Sequence, residues 1–190
     1  MDELVKAALV KWPQVPHCYG WLALDARGDW YMRDERVQAA GPFPQPKGSR
    51  IDHAKLREFI GRNYEADERG AWFFQNGPQR VYVELEAAPY VWRLQRGADG
   101  ELQVQAHTGA PAQYRAAWLD EPGRLFLVTD LGYGLVHSLD TGLAADAIEA
   151  GDWRPGQMPW AEMPGRFAYL LRPQPPGIAS PASSASSPGG

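Results

Sequence analysis

Cysteine is almost missing from this sequence: Cys18 stands alone among 190 residues. A single thiol excludes an intramolecular disulfide and any multi-cysteine metal site, and it fits a reducing compartment. Long apolar runs are missing as well. Nothing approaches the roughly 18 consecutive apolar residues of a membrane span. The start, MDELVKAALVKW, is acidic and amphipathic where a secretory leader would be basic and then apolar. The expectation is a soluble, cytoplasmic protein with no membrane partner. Concentrated positive charge is also lacking. The net charge is -4, the sequence pI is about 5.6, and the arginines and few lysines are scattered among acids. Nucleic-acid binders carry a basic stripe, so no nucleic-acid partner is expected.

Motifs for cofactors are equally sparse. His17, His53, His107 and His137 lie far apart in sequence, without the close spacing typical of zinc ligands. Gly132-Tyr133-Gly134 lacks the further glycines and the Lys-Ser/Thr pair of a phosphate loop and reads as a wide turn. No metal and no cofactor are expected.

What the chain does contain is rings. It has eight tryptophans and a hydrophobic content of 44%, which suits a folded globule. At this length it can bury one good core or two small half-cores. The run Trp72 to Leu94, WFFQNGPQRVYVELEAAPYVWRL, packs aromatic and β-branched residues into short stretches. They are broken at Asn76-Gly77-Pro78 and Ala87-Ala88-Pro89, the pattern of strand, turn, strand, corner, strand.

Other elements follow by the same logic. Val5, Ala8, Leu9 and Trp12 form one face of a helix over 2–12, which Pro13 ends. Gly20–Leu24 and Trp30–Arg33 flank a hairpin loop at Asp25-Ala-Arg-Gly-Asp. Residues 40–50 read as a Pro/Gly loop. Asp52 is placed to cap a second helix, with Leu56, Phe59, Ile60 and Tyr64 as its stripe. Alternation in Arg80–Glu86 puts Val81, Val83 and Leu85 on one face and Tyr82, Glu84 and Glu86 on the other. Further hairpins run through residues 90–106 and 114–129, and a strand is expected over Leu135–Leu139. Asp140 or Thr141 then caps a helix near 141–150 that Gly151 stops. A last strand is expected at Arg166–Leu171, and a disordered Pro/Ser/Ala/Gly tail from 173 to 190. An internal echo, Gly-x-Trp at 28–30, 70–72 and 151–153, hints at a duplicated unit.

Few residues suggest chemistry. His17 and Cys18 adjoin, but neighbours on a strand point to opposite faces. Glu84 and Glu86 sit two apart on one face, roughly 7 Å along a strand, a distance at which two carboxylates can share acid–base work. Arg80 and Arg93 lie near enough in sequence to neutralise them, and a solvated, salt-bridged sheet face is the stronger reading. A mixture of rings and arginines is what a stacking surface needs. Trp30, Trp72 and Trp92 are assigned to the core. Phe73, Tyr82 and Tyr90, with Arg80, Glu84 and Arg93, are the candidate ligand-binding set.

The stretches KWPQVPHCYGWLALDARGDWYMRDE and ERGAWFFQNGPQRVYVELEAAPYVWRL resemble an uncharacterised proteobacterial family of hypothetical proteins, a domain of unknown function, over roughly residues 10–150. The order hairpin, helix, Trp-aromatic strand, Val-rich strand, acidic-Ala-Pro corner also resembles a second bacterial family of unknown function. In that family two related α/β motifs build the domain, and a signalling or ligand-binding role has been suggested. Neither resemblance supplies catalytic residues.

The fold expected is α+β: bent, mainly antiparallel sheets built from consecutive hairpins, with two or three packed helices and two related α/β motifs. Residues 1–172 would form one domain, with halves at about 1–96 and 97–172. The leading functional expectation is a non-catalytic binding or regulatory domain for a small molecule or peptide. The alternatives are an enzyme using Glu84, Glu86, Cys18 or His17, and a protein–protein interaction module.

Overall fold

The computed structural model describes residues 1–176. Most of the expected tail, from 177 onward, lies outside the described residues. The elements run α1 (Glu3–Lys11), β1 (Cys18–Leu24), β2 (Trp30–Met32), α2 (Glu35–Ala40), β3 (Ser49–Arg50), α3 (Ala54–Arg62), β4 (Tyr64–Ala66), β5 (Trp72–Asn76) and β6 (Gln79–Leu85). They continue β7 (Tyr90–Arg96), β8 (Leu102–Ala106), β9 (Pro111–Ala112), β10 (Tyr114–Leu119), β11 (Leu125–Thr129), β12 (Tyr133–Val136), α4 (Thr141–Glu149), β13 (Gly156–Gln157) and α5 (Met163–Arg166). The protein is α+β, with two mainly antiparallel sheets and a few helices.

The first sheet has the order β3-β2-β1-β6-β5-β4, and the second β9-β8-β7-β12-β11-β10-β13. The same ribbon order therefore occurs twice, with a parallel pair at each centre: β1 beside β6 and β7 beside β12. The chain changes sheet at Glu86–Pro89. The hairpin loops repeat too. In the β1–β2 loop Asp25 N–H donates to Asp29 C=O and Gly28 N–H to Asp25 C=O. The β4–β5 loop closes in the same way through Asp67, Gly70 and Ala71, and the β10–β11 loop through Asp120, Gly123 and Arg124. In all three the aspartate carboxylate also accepts from the last N–H of the loop. Asp-x-x-Gly is thus a sequence mark of the repeat where β4–β5 and β10–β11 hold the same place in the two sheets, while Gly97 stands for the aspartate in the β7–β8 loop that matches β1–β2. Gly-x-Trp is no such mark: Trp30 and Trp72 begin β2 and β5, which hold different places in the ribbon order, and Trp153 lies in no strand.

Two apolar layers result. One lies between the sheets and gathers Leu24, Trp30, Val83, Phe126, Tyr133, Leu135 and Tyr169, with α3 and the segment 158–171 packed into it. The other lies between the second sheet and α4, around Trp92, Leu127 and Trp153. Trp92 is wholly buried, and its indole N–H donates to Leu127 C=O at 3.2 Å.

Several local expectations are corrected. The α3 cap is His53, whose Nδ1 accepts from Leu56 N–H at 3.3 Å, while Asp52 turns to Arg50 instead. Asp140 does not cap α4, because its carboxylate accepts from Arg93 Nε at 2.6 Å and Leu94 N–H at 3.0 Å. The strand from Leu135 stops at Val136, where His137 Nδ1 accepts from Leu139 N–H and starts a turn. No strand forms at Arg166–Leu171. Ala168 sits at φ 51° and turns the chain, leaving only Leu170 N–H to Gly70 C=O and Leu85 N–H to Leu171 C=O as cross-bonds.

His107 closes one end of the inter-sheet layer. Its ring lies 5.3 Å from Trp30, 5.8 Å from Tyr64 and 6.0 Å from Tyr90. Its Nδ1 accepts from Val91 N–H, so Nε2 carries the proton and faces rings in place of a polar partner. Burial lowers its pKa to about 3. Unfolded histidine titrates near 6.5, so between those values the unfolded chain binds a proton that the folded chain refuses. Stability is complete above about pH 6.5 and falls as pH drops, by up to about 1.4 kcal/mol per unit. Urea midpoints measured from pH 7 to 4.5 should show this fall, and His107→Asn should remove much of it. An unchanged slope in the variant would rule the assignment out.

Candidate functional site

Alternation in β6 sends Val83 and Leu85 into the inter-sheet layer and leaves Tyr82 on the outer face of the first sheet. The register Glu65 opposite Phe73 opposite Tyr82 then aligns three residues across β4, β5 and β6 on that face. Tyr19 from β1 completes the row by stacking on Tyr82, with ring centres 4.5 Å apart and planes 6° from parallel. His17 meets the edge of Tyr82 at 5.8 Å. The Arg80 guanidinium lies over Phe73, 4.4 Å from the ring centre, and among the described residues it forms no ion pair.

Beside this row is an open groove of about 520 Å³, walled by Glu65–Arg69 on one side and by Phe73 and Arg80 on the other. Asp67 holds the corner. Its Oδ1 accepts from Arg69 and Ala71 N–H, and its Oδ2 from the Tyr82 hydroxyl at 3.0 Å and from Arg69. Burial pushes the Asp67 carboxyl up, but those donors outweigh it and hold the pKa below the usual range. Burial, and then the Arg80 charge, push the His17 pKa down. Phe73 and Tyr82 are themselves buried beneath Arg80 and Tyr19. The groove therefore offers charged and hydrogen-bonding groups on a rigid aromatic floor.

Three of the candidate binding residues, Phe73, Arg80 and Tyr82, come together here. The others do not. Glu84 pairs with Arg33, which is buried, donates to Gly41 C=O at 2.7 Å and leaves its own Nε without a partner. Glu86 accepts from Lys47 at 3.3 Å and from Ala26 N–H at 3.1 Å, and Lys47 also holds Asp25 at 2.8 Å. The face is salt-bridged as expected, but by Arg33 and Lys47, and at Glu84 it is buried where a solvated face is expected, because the loop 41–48 folds over it; Arg80 and Arg93 take no part. Tyr90 lies between the sheets, stacked on Trp92 at 5.0 Å, and burial pushes its pKa to about 12. Arg93 belongs to the second sheet with Asp140.

Cys18 is half-buried, and burial pushes its thiol pKa up, away from a nucleophilic thiolate. It forms no hydrogen bond with His17, which turns to Tyr82. Among the described residues no group of three or more His, Cys, Asp or Glu could hold a metal ion. Sequence reading missed Tyr19, Asp67 and Arg69. The second Asp-x-x-Gly loop was the signal that could have found the last two.

Residues 1–174 match the family described as "Protein of unknown function (DUF2946)". The chain belongs to that family. No curated protein matches it. Among solved structures it is similar to a DUF1285 family protein from Shewanella baltica OS155, at 16% identity and a TM-score of 0.46, over 66% of this chain and 91% of that one. No helix among the described residues is long and apolar enough to cross a membrane.

The buried Arg33–Glu84 pair allows a direct test. Glu84→Ala strands the guanidinium and should cost about 3–5 kcal/mol in urea unfolding. The double change Arg33→Met with Glu84→Met should cost much less, because it removes both charges together.

Proposed function

We propose that this member of the family is a non-catalytic binding or regulatory domain that holds a small or peptide-like ligand in the groove between Glu65–Arg69 and Arg80. The single observation that carries this reading is Arg80. It is a guanidinium held over a ring at the groove, and among the described residues it has no carboxylate partner. An arginine so placed is preorganised for a planar anionic group. The groups that would serve an enzyme are engaged otherwise: Glu84 and Glu86 by Arg33 and Lys47, and Cys18 by burial. The lone free cysteine supports a cytoplasmic location. Residues 1–172 are taken as one unit, since Leu171 at its end bonds to Leu85 in the first sheet.

A second reading, a protein–protein interaction module, is favoured by α1. Leu4 is 86% exposed, Val10 84% and the following Trp12 50%, and Val5 is the helix's one buried residue.

A thermal-shift screen against metabolites and short peptides tests the first reading. A ligand at a hundred times its Kd should add about 2.7 kcal/mol of stability. Arg80→Gln should leave the unliganded melting point nearly unchanged and weaken such a ligand about tenfold or more, the loss expected for a charged hydrogen bond. Hits indifferent to Arg80→Gln would refute the groove as the site.

A further inference from the structure

The first sheet has six strands and the second has seven, although both follow one ribbon order. The extra strand is β13, which runs parallel to β10 at its free edge, with Gly156 opposite Trp118 and Gln157 opposite Leu119. The counterpart of β10 in the first sheet is β4. The Asp67 and Asp120 loops fix the alignment, so that Ala66 corresponds to Leu119 and Glu68 to Glu121. Nothing among the described residues pairs with β4 on the side away from β5.

Two details of the β13 contact have unused counterparts at β4, and a third has an analogue from a different strand. Leu119 C=O accepts from Met158 N–H at 3.0 Å. Ala66 presents its C=O in the same direction, because the bonds of Gln75 to Asn63 and of Asp67 to Ala71 turn the odd-numbered residues of β4 toward β5 and the even-numbered ones outward. The Glu121 carboxylate accepts from Trp160 N–H at 3.0 Å, just beyond β13. Glu68 stands exposed on the groove wall, and its carboxylate has no hydrogen-bond partner among the described residues. Arg124, in the β10–β11 loop, lies 5.5 Å from the ring centre of Phe126 and 5.4 Å from that of Trp160. The position matching Arg124 is Ala71, and the guanidinium over Phe73, the counterpart of Phe126, comes instead from Arg80 on β6, which lines the groove.

We propose that the groove takes an extended peptide segment of another protein, added to the first sheet as a parallel seventh strand along β4. The molecule already carries the same arrangement on its second sheet. The peptide's backbone bonds to the outward groups of Ala66, its next N–H reaches Glu68, and an aromatic side chain a few residues on lies against Arg80. Glu65 and Glu68 disfavour acidic residues in it. This rests on the reading of the groove as a binding site and names its ligand class. Strand addition of this kind draws affinity from main-chain bonds and specificity from the side-chain contacts beside them.

The test pans a phage-displayed library of random heptamers on the full chain, then measures the selected peptides by fluorescence anisotropy against three variants. Ala66→Pro deletes an N–H that β5 does not use and sets a proline ring on the open edge. It should weaken the peptides by about tenfold or more, with the circular dichroism melt close to that of the unsubstituted chain. Glu68→Gln, an exposed change, should fold normally and weaken them by a smaller factor. Arg80→Gln should weaken those that carry an aromatic residue. Peptides lost with Arg80→Gln but indifferent to both Ala66→Pro and Glu68→Gln would overturn strand addition and leave the groove reading intact. Failure to select any peptide sensitive to these variants overturns the strand proposal outright. Failure also of the metabolite screen to find a ligand sensitive to Arg80→Gln removes the groove reading with it.

Discussion

Parallel pairing at the centre of each sheet organises the rest of the molecule. Parallel neighbours cannot be joined by a tight turn, so the chain must leave β1 and travel through four further strands before β6 returns beside it. In the first half that journey carries α2 and α3; in the second it carries no helix, and α4 comes only after β12. Central parallel strands need cover on both faces. Ala23, Leu24, Val83, Val91 and Trp92 are accordingly among the most deeply buried residues. The antiparallel hairpins fall to the flanks, where an edge is either capped, as at β10, or left open, as at β4.

Cover is shared unequally. The second sheet has α4 on one face, and the first sheet with the segment 158–171 on the other. The outer face of the first sheet must make do with α2, the loop 41–48 and its own rings. That explains why charge is buried there. A buried ion pair adds little net stability, but this set ties the loop down: Arg33 reaches Gly41, Lys47 reaches Asp25 and Glu86, and Arg172 donates to Phe43 C=O at 3.1 Å. Where the loop ends, the same face is covered only by its own side chains, Tyr19 stacked on Tyr82 and Arg80 lying over Phe73.

Strand positions were readable because side-chain alternation and the Asp-x-x-Gly turns are local. The faces of Val83 and Tyr82 followed from alternation alone. What covers each face was not readable, since Arg33, Lys47 and Asp140 reach their partners from distant elements. Sequence proximity therefore points Glu84 to the wrong arginines and offers Asp140, beside Thr141, as a cap it does not make, and it groups Tyr90 and Arg93 with residues from which the sheet change at Glu86–Pro89 separates them. Strands of two residues, such as β3 and β13, leave no periodicity to detect. The one-turn helix α5 leaves none either, and Ala168 gives no warning in sequence of the turn that replaces the expected last strand.

The passage between the sheets has a mechanical corollary. Ala87, Ala88 and Pro89 are buried, and the hydroxyls of Tyr169 and Tyr64 grip the carbonyls of Ala87 and Pro89 at 3.0 and 2.9 Å. A connector clamped from both sides leaves no slack for a hinge. The two sheets are thereby held in one fixed relation, and the rim of the groove beside Phe73 is set by the fold itself rather than by a movement of one sheet against the other.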